Sequence, residues 1–93
     1  MIRSFGNRFT QKLWESGHAK GWAPGLRQRA LDKLQVLNAA PNPEILRIPP
    51  GNRLEALQGD LRGYYSVRVN DQWRIIFRFL GEDAFDVAIV DYH

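Results

Sequence analysis

Three runs in the last third of the chain alternate between apolar and polar residues, and this pattern constrains the fold more than any other feature. The runs are GYYSVRVN, QWRIIFRFL and AFDVAIVDY. A period of two residues is typical of a β-strand with one buried face. Asn70 and Asp71 predict a tight turn after the first run, and residues 81–83 predict the next turn. Because these connections are too short for a crossover, the three strands must be antiparallel.

The first half of the chain predicts two helices. In NRFTQKLWESG the apolar residues share one helical face, with Asn7 as the N-cap and Gly17 as the end. The second helix begins near Pro24 and is predicted by GWAPGLRQRALDKLQVLNAAPNP. Residues 2–5 are consistent with a short strand. The expected fold class is therefore α+β: a twisted, mainly antiparallel β-sheet with two N-terminal helices packed on one face, in a single domain over residues 1–93.

The segment between the helices and the strands is expected to be ordered. It reads APNPEILRIPPGNR and holds four of the five prolines, yet its apolar residues Ile45, Leu46 and Ile48 are expected to need burial. The following LEALQGD predicts a short strand and a turn. In the last strand, the alternation places Phe85 on the same face as Val87 and Ile89.

The composition limits the chemistry that is available. The chain has no cysteine, and its two histidines are far apart in sequence, so we expect neither a metal site nor a cofactor. There is no apolar stretch of the length that a membrane span needs, about 18 residues. The N-terminus MIRSFGNRFT lacks the core of a signal peptide, so we expect a cytoplasmic protein.

The positive charge is mostly arginine. Arginine accounts for ten of the 13 basic residues, and the net charge is +3. Since the planar guanidinium suits phosphate contact and base stacking, this favours a polyanionic partner, nucleic acid first. Plain solubility is the alternative explanation.

Strand alternation also predicts which side chains share a face of the sheet. The face under the helices is expected to hold Trp73, Ile75, Phe77 and Phe79. The opposite face is expected to be open and to carry Tyr64, Arg68, Arg74 and Arg78. Arginine for phosphate and tyrosine for base stacking predict a platform for single-stranded RNA. The alternative is an ordinary solvated sheet face.

The chain ends on Asp91, Tyr92 and His93, directly after the last strand. Histidine moves protons near neutral pH, and an aspartate two residues away can orient it. With arginines on adjacent strands, these groups are sufficient for metal-independent RNA cleavage, in which a 2′-hydroxyl attacks the neighbouring phosphate. A terminal histidine without a chemical role is the alternative.

The stretch RIPPGNRLEALQGDLRGYYSVRVNDQWRIIFRF, followed by VDYH at the C-terminus, resembles the HigB toxins of the RelE-like superfamily. The resemblance implies a ribosome-dependent mRNA endonuclease that enters the ribosomal A site. It implies a HigA-like helix-turn-helix antitoxin as partner, with operator DNA contacted only through that antitoxin. It also implies roles for the matched residues: His93 as the leading acid or base, Tyr92 for substrate positioning, Asp91 as its assistant and Arg74 for phosphate.

One position departs from the HigB pattern. Some HigB proteins have a lysine where this chain has Gln58, and glutamine cannot neutralise a phosphate. One of the arginines would then take over that role: Arg53, Arg62, Arg68 or Arg74. Otherwise cleavage would be weaker, and an inactive member that acts only in antitoxin-dependent repression stays open. A gyrase-inhibiting toxin of the ParE type also stays open, because the fold alone cannot separate it from a nuclease.

Overall fold

The computed structural model, which describes residues 1–91, contains two α-helices followed by a four-stranded sheet in those residues. The helices are α1 (Arg8–Ser16) and α2 (Pro24–Ala39). The strands are β1 (Glu55–Ala56), β2 (Tyr64–Arg68), β3 (Trp73–Leu80) and β4 (Asp83–Asp91). They lie side by side in the order β1-β2-β3-β4, and each neighbouring pair is antiparallel. The predicted α+β architecture is confirmed.

Both ends of α1 have the chemistry that the sequence predicts. The side-chain oxygen of Asn7 accepts a hydrogen bond from the Thr10 backbone N–H at 2.9 Å, which satisfies a donor that the helix leaves unpaired. At the other end Gly17 has a φ of 73°, and its N–H donates to the Leu13 carbonyl at 2.8 Å. Pro24 occupies the first turn of α2, where its missing N–H costs nothing.

The hydrophobic core lies between the two helices and one face of the sheet. It includes the fully buried side chains Leu13, Leu34, Ile75, Phe77 and Val87. Three aromatic side chains pack against this core: Phe9, Trp22 and Trp73. The ring centroids of Phe9 and Trp22 are 5.0 Å apart, and those of Trp22 and Trp73 are 5.2 Å apart. The predicted core face of β3 is confirmed.

The proline-rich segment is ordered, as expected, and forms two short 3-10 turns, Pro43–Arg47 and Pro50–Asn52. Leu46 is buried as expected, but Ile45 is 44% exposed and Ile48 is 78% exposed. The expectation for these two isoleucines was wrong because a 3-10 turn has three residues per turn, so Leu46 alone of the three faces the core.

A β-bulge interrupts the alternation of β4. The pairing with β3 shifts between Ile76 and Arg78, and Asp86 has a φ of 53°. Phe85 consequently pairs with Arg78, on the face away from the helices, while Ala84 takes the core position. The predicted face of Phe85 was wrong because one extra residue reverses the parity of everything before it.

The first residues of the chain lie along the outer edge of β4. Ile2 and Phe5 form isolated parallel bridges to Ala84 and Val87, so the segment contacts the sheet without forming a continuous strand. At the bulge, the Ser4 hydroxyl accepts a hydrogen bond from the Asp86 N–H at 2.8 Å. The N-terminal segment therefore covers the edge of β4 that would otherwise expose unpaired backbone groups.

Candidate active site

Arg74 lies near the start of β3, on the sheet face away from the helices, and only 7% of it is exposed. Its Nη2 donates to the Ser66 hydroxyl at 2.7 Å and to the Arg53 carbonyl at 3.0 Å. The Glu55 carboxylate lies 3.6 Å from the same nitrogen. The face prediction for Arg74 is confirmed, but the expectation that it is open to solvent was wrong. Small Ser66 leaves room for the guanidinium, and the chain turns back at Arg53, where φ is 48°, to present its carbonyl.

Asp91 is the last described residue and lies at the same end of the sheet. It stands opposite Trp73 in the β3–β4 ladder, while its neighbour Val90 stands opposite Arg74. The register therefore places Asp91 and Arg74 one step apart along the strands and on opposite faces. The exposed Asp91 carboxylate accepts a hydrogen bond from Gln72 Nε2 at 3.1 Å.

The predicted roles of Tyr92 and His93 fall on residues outside those that the structure describes. The described part of β4 pairs with β3 as far as Trp73 and Asp91, at the end of the sheet that holds Arg74.

The N-terminus of α1 holds the last part of β4 through a group of hydrogen bonds that the sequence analysis missed. The buried Thr10 hydroxyl accepts from the Ile89 N–H at 2.8 Å and donates to the Asn7 side-chain oxygen at 2.6 Å. The Asn7 amide in turn donates to the Ile89 carbonyl at 3.0 Å. Both backbone groups of Ile89 are thus satisfied by one helix cap. The Asn-x-x-Thr spacing was a signal for the cap, but nothing in the sequence indicated its contact with a strand 79 residues away.

The remaining predicted RNA-binding residues divide between the two ends of the sheet. Arg68 pairs directly with Arg74 in the β2–β3 ladder, whereas Tyr64 pairs with Arg78. We refer to these as the Arg74 end, defined by Arg68, Arg74 and Asp91, and the Arg78 end, defined by Tyr64 and Arg78. Tyr64 and Arg68 are four positions apart along β2, which is about 13 Å at the ordinary rise of a strand.

Both half-exposed arginines of the face have carboxylate partners. Arg68 Nη2 is bonded to Asp71 in the β2–β3 turn. Arg78 Nη2 lies 2.7 Å from Asp86, and its Nε donates to the same carboxylate oxygen at 2.8 Å. The bulge that displaces Phe85 places Asp86 within reach of Arg78. To contact a phosphate, each arginine must either break its ion pair or bind the phosphate while it still contacts the carboxylate.

The other predicted residues lie in the turns around β1 and are exposed. Arg53 precedes β1 and is joined to the Arg74 end by its own carbonyl. Gln58 and Arg62 flank a third 3-10 turn, Gly59–Leu61. Because the Leu57 N–H donates to the Tyr64 carbonyl at 2.8 Å, this turn belongs to the Arg78 end. The structure therefore does not bring Gln58 and Arg62 together with Arg74.

Metal sites and membrane spans are the two other features considered for the described residues. Within residues 1–91, no group of three or more histidine, cysteine, aspartate or glutamate side chains is arranged to hold a metal ion. Neither helix in that range has the length and hydropathy required to cross a membrane.

Comparison with known proteins decides the family. The family model described as the RelE-like toxin HigB of type II toxin–antitoxin systems matches residues 3–93. The chain belongs to the HigB toxin family. Toxin HigB-1 of Vibrio cholerae is 40% identical over 90 residues, which cover 96% of this chain and 95% of that protein. The Endoribonuclease HigB of Proteus vulgaris is 34% identical over 98 residues and covers both chains completely.

Solved structures agree with this HigB assignment at the level of the fold. A variant of YafQ from E. coli matches with a TM-score of 0.63 and 17% identity, covering 98% of this chain and 91% of that one. The YoeB–YefM toxin–antitoxin complex from Staphylococcus aureus contains a chain that matches with a TM-score of 0.62 and 18% identity, covering 100% and 95%. The RelE-like fold predicted from the sequence is confirmed.

Proposed function

We propose that this HigB-family chain is the toxin of a type II toxin–antitoxin module and acts as an endoribonuclease that cuts mRNA on the ribosome. The observation that carries the proposal is the family match over residues 3–93, together with the full-length likeness to a protein named Endoribonuclease HigB. The burial and the hydrogen bonds of Arg74, at the end of the sheet where the described part of β4 ends, support a role for this residue in the reaction.

The proposed reaction needs only side chains of this chain and the RNA itself. A base removes the proton of a 2′-hydroxyl, the oxygen attacks the adjacent phosphorus, and an acid protonates the departing 5′-oxygen. His93 is the leading candidate for the acid or the base, and Asp91 favours its charged form if the two side chains meet. Tyr92 positions or stacks the substrate. No metal ion is required by this scheme.

Arg74 would stabilise the negative charge that develops on the phosphate. Its guanidinium is already held by Ser66 and by the Arg53 carbonyl, so little reorganisation is needed during the reaction. A fixed, desolvated donor is worth more than a mobile one on the surface. Arg74 would also supply the positive charge that a lysine supplies in some HigB proteins, where this chain has Gln58. Gln58 itself lies near the other end of the sheet.

The rest of the face would bind the RNA strand outside the cleaved bond. Arg68 and Arg53 extend the Arg74 end, and Tyr64 and Arg78 offer a stacking surface and a further phosphate contact about 13 Å away. Gln58 and Arg62 lie beyond Tyr64. A single strand that crosses the sheet face from one end to the other would meet all of them.

The proposed partners follow from the toxin family. A HigA-like helix-turn-helix antitoxin would inhibit the toxin and would alone contact operator DNA. The proposed site of action is the ribosomal A site in the cytoplasm, where the codon of a translated message is exposed.

The test is induced expression followed by mapping of RNA 5′ ends on two versions of one message, with and without its start codon. We expect in-frame cuts only in the translated version. Equal cutting of both versions would contradict ribosome dependence, and intact RNA with DNA breaks would indicate a gyrase inhibitor of the ParE type.

On purified ribosomes, a 2′-O-methyl group at the cleaved nucleotide should block the reaction, because it removes the nucleophile.

A further inference from the structure

An apolar groove lies between α2 and the proline-rich segment that follows it. Its volume is about 290 Å³, and its apolar lining consists of Val36, Leu46, Ile48, Pro49 and Val67. Two of these side chains are largely open to solvent, since Ile48 is 78% exposed and Val36 is 45% exposed. Contiguous apolar patches at a protein surface often mark a site where another protein binds.

The rim of the groove is mainly basic. Arg29 and Lys33 line it from α2, together with one acid, Asp32, whose carboxylate accepts a hydrogen bond from Gln28 at 2.9 Å. The Lys33 ammonium donates to the buried Asn52 side chain, which in turn donates to the Leu46 carbonyl at 3.2 Å. The groove therefore has ordered polar groups at its edge as well as an apolar floor.

The rim carries two cations, Arg29 and Lys33, and one acid, Asp32. Burial lowers the pKa of Lys33 from its ordinary value, and the nearby positive charges of Arg29 and Arg68 lower that pKa further. A cation whose charged form is disfavoured by its neighbours is stabilised by an incoming carboxylate. The groove is thus complementary to a segment that combines apolar side chains with negative charge.

The groove is separate from the candidate active site. Its floor residue Val67 belongs to the core face of the sheet, under the helices, whereas Arg74 belongs to the opposite face. A segment bound here would contact the helix side of the sheet and not the face that holds Arg74.

We propose that this groove is a docking site for the antitoxin, which would insert an acidic segment carrying one or two large apolar side chains. The proposal rests on the proposed function only in taking this chain to be a toxin with an antitoxin partner. A second copy of this chain fits less well, because the chain has a net charge of +3 and would place basic rims against each other. Nucleic acid would match the rim but not the apolar floor.

The test measures the affinity of the purified toxin for the antitoxin encoded beside it, by isothermal titration calorimetry. Ile48→Asp removes an apolar contact and adds a negative charge. Its matched control is Leu80→Asp, the same kind of change at a 57% exposed residue at the far end of β3. We expect Ile48→Asp to weaken binding by about tenfold or more, as for an anchor residue, and Leu80→Asp by less than about twofold.

A charge reversal provides the second pair of variants. Arg29→Glu should weaken binding, while Lys20→Glu, an exposed reversal between the helices, should not. Circular dichroism checks the fold of all four. Equal affinities within both pairs would overturn the proposal. A toxin that forms dimers alone, and that Ile48→Asp converts to monomers, would also overturn it in favour of a second copy.

The readout separates this proposal from the proposed function, because binding is measured without RNA. If Ile48→Asp loses antitoxin binding but cuts translated mRNA at the wild-type rate, both proposals are supported. If it loses binding and the wild type cuts no RNA, the groove assignment stands and the nuclease proposal fails.

Discussion

The two ends of the exposed sheet face hold arginines of the same strand in different ways. Arg74 is buried and bonded to a hydroxyl and a carbonyl oxygen, whereas Arg78, four residues later, is half-exposed and paired with the Asp86 carboxylate. Strand alternation places both arginines on the same face of the sheet. Their surroundings differ because the turn at Arg53 supplies a carbonyl to Arg74, whereas the bulge supplies the Asp86 carboxylate to Arg78. We therefore propose a role in the chemistry for Arg74 and a role in RNA binding alone for Arg78.

The largest expected effect is on cleavage. Arg74→Ala should lower the rate on ribosome-bound mRNA by about 10²–10³, the usual cost of losing one fixed donor to a developing charge. Arg78→Ala should lower it by less than about tenfold. Arg74→Lys keeps the charge but loses the planar fork, so it should recover only part of the rate. Equal losses at the two arginines, in proteins of equal stability, would abolish the distinction between the two ends.

The second prediction compares the partners of the two arginines. Ser66→Ala removes an acceptor from a buried guanidinium and should lower the free energy of unfolding by about 1–3 kcal/mol. Asp86→Asn breaks a half-exposed ion pair and should cost only about 0–1 kcal/mol. Urea denaturation measures both. A larger loss for Asp86→Asn than for Ser66→Ala would show that the Arg78 end is the more tightly held of the two.

The third prediction concerns the helix cap that holds β4 near the Arg74 end. Thr10→Val deletes the hydroxyl between Asn7 and the Ile89 N–H and should cost about 1–2 kcal/mol. Because β4 leads to Asp91, the variant should also lower kcat more than it raises KM, and Thr10→Ser should restore both. A destabilised variant with unchanged kcat would limit this contact to a structural role.

The smallest expected effect is on the pH dependence of stability, and it arises at Asp83, at the start of β4. The carboxylate of Asp83 forms ion pairs with the N-terminal ammonium and with Arg3. A hydrogen bond from the terminal ammonium lowers the pKa of Asp83, and the Arg3 guanidinium lowers it further. A carboxyl whose pKa is lower in the folded state stabilises the fold above its unfolded pKa, and that stabilisation is lost as the pH falls through the folded value. Asp83→Asn should therefore be slightly less stable than wild type at pH 7 and equal to it in strong acid. A difference that persists at low pH would assign the effect to packing.

Much of the fold could be predicted from the sequence because its signals are local. The cap at Asn7, the left-handed Gly17 and the period of two in the strands each depend on residues close together in the chain. The face of Phe85 could not be predicted, because the bulge at Asp86 depends on Ser4 and on the register with β3. The same holds for Ile48, whose exposure depends on how a proline-rich turn meets α2.

The sequence alone proposes the candidate site as a set of residues, but it does not give their arrangement. Alternation placed Arg74 on the correct face, while its burial results from the size of Ser66 and from the backbone turn at Arg53. Gln58 lies within the stretch that resembles the HigB toxins, together with Arg74, yet the fold places it near the Arg78 end. Contacts between segments far apart in the chain determine both results, and single-sequence patterns do not report them.

The most direct test of the account is the rate of mRNA cleavage by a truncated protein that ends at Tyr92, measured on ribosomes programmed with a defined codon. If His93 moves a proton at the Arg74 end, the truncation should lower the rate by about 10²–10⁴. The free energy of unfolding should change by no more than about 1 kcal/mol, and urea denaturation measures it. A folded truncation that cuts mRNA at the wild-type rate would contradict the assignment of the active site to the C-terminus.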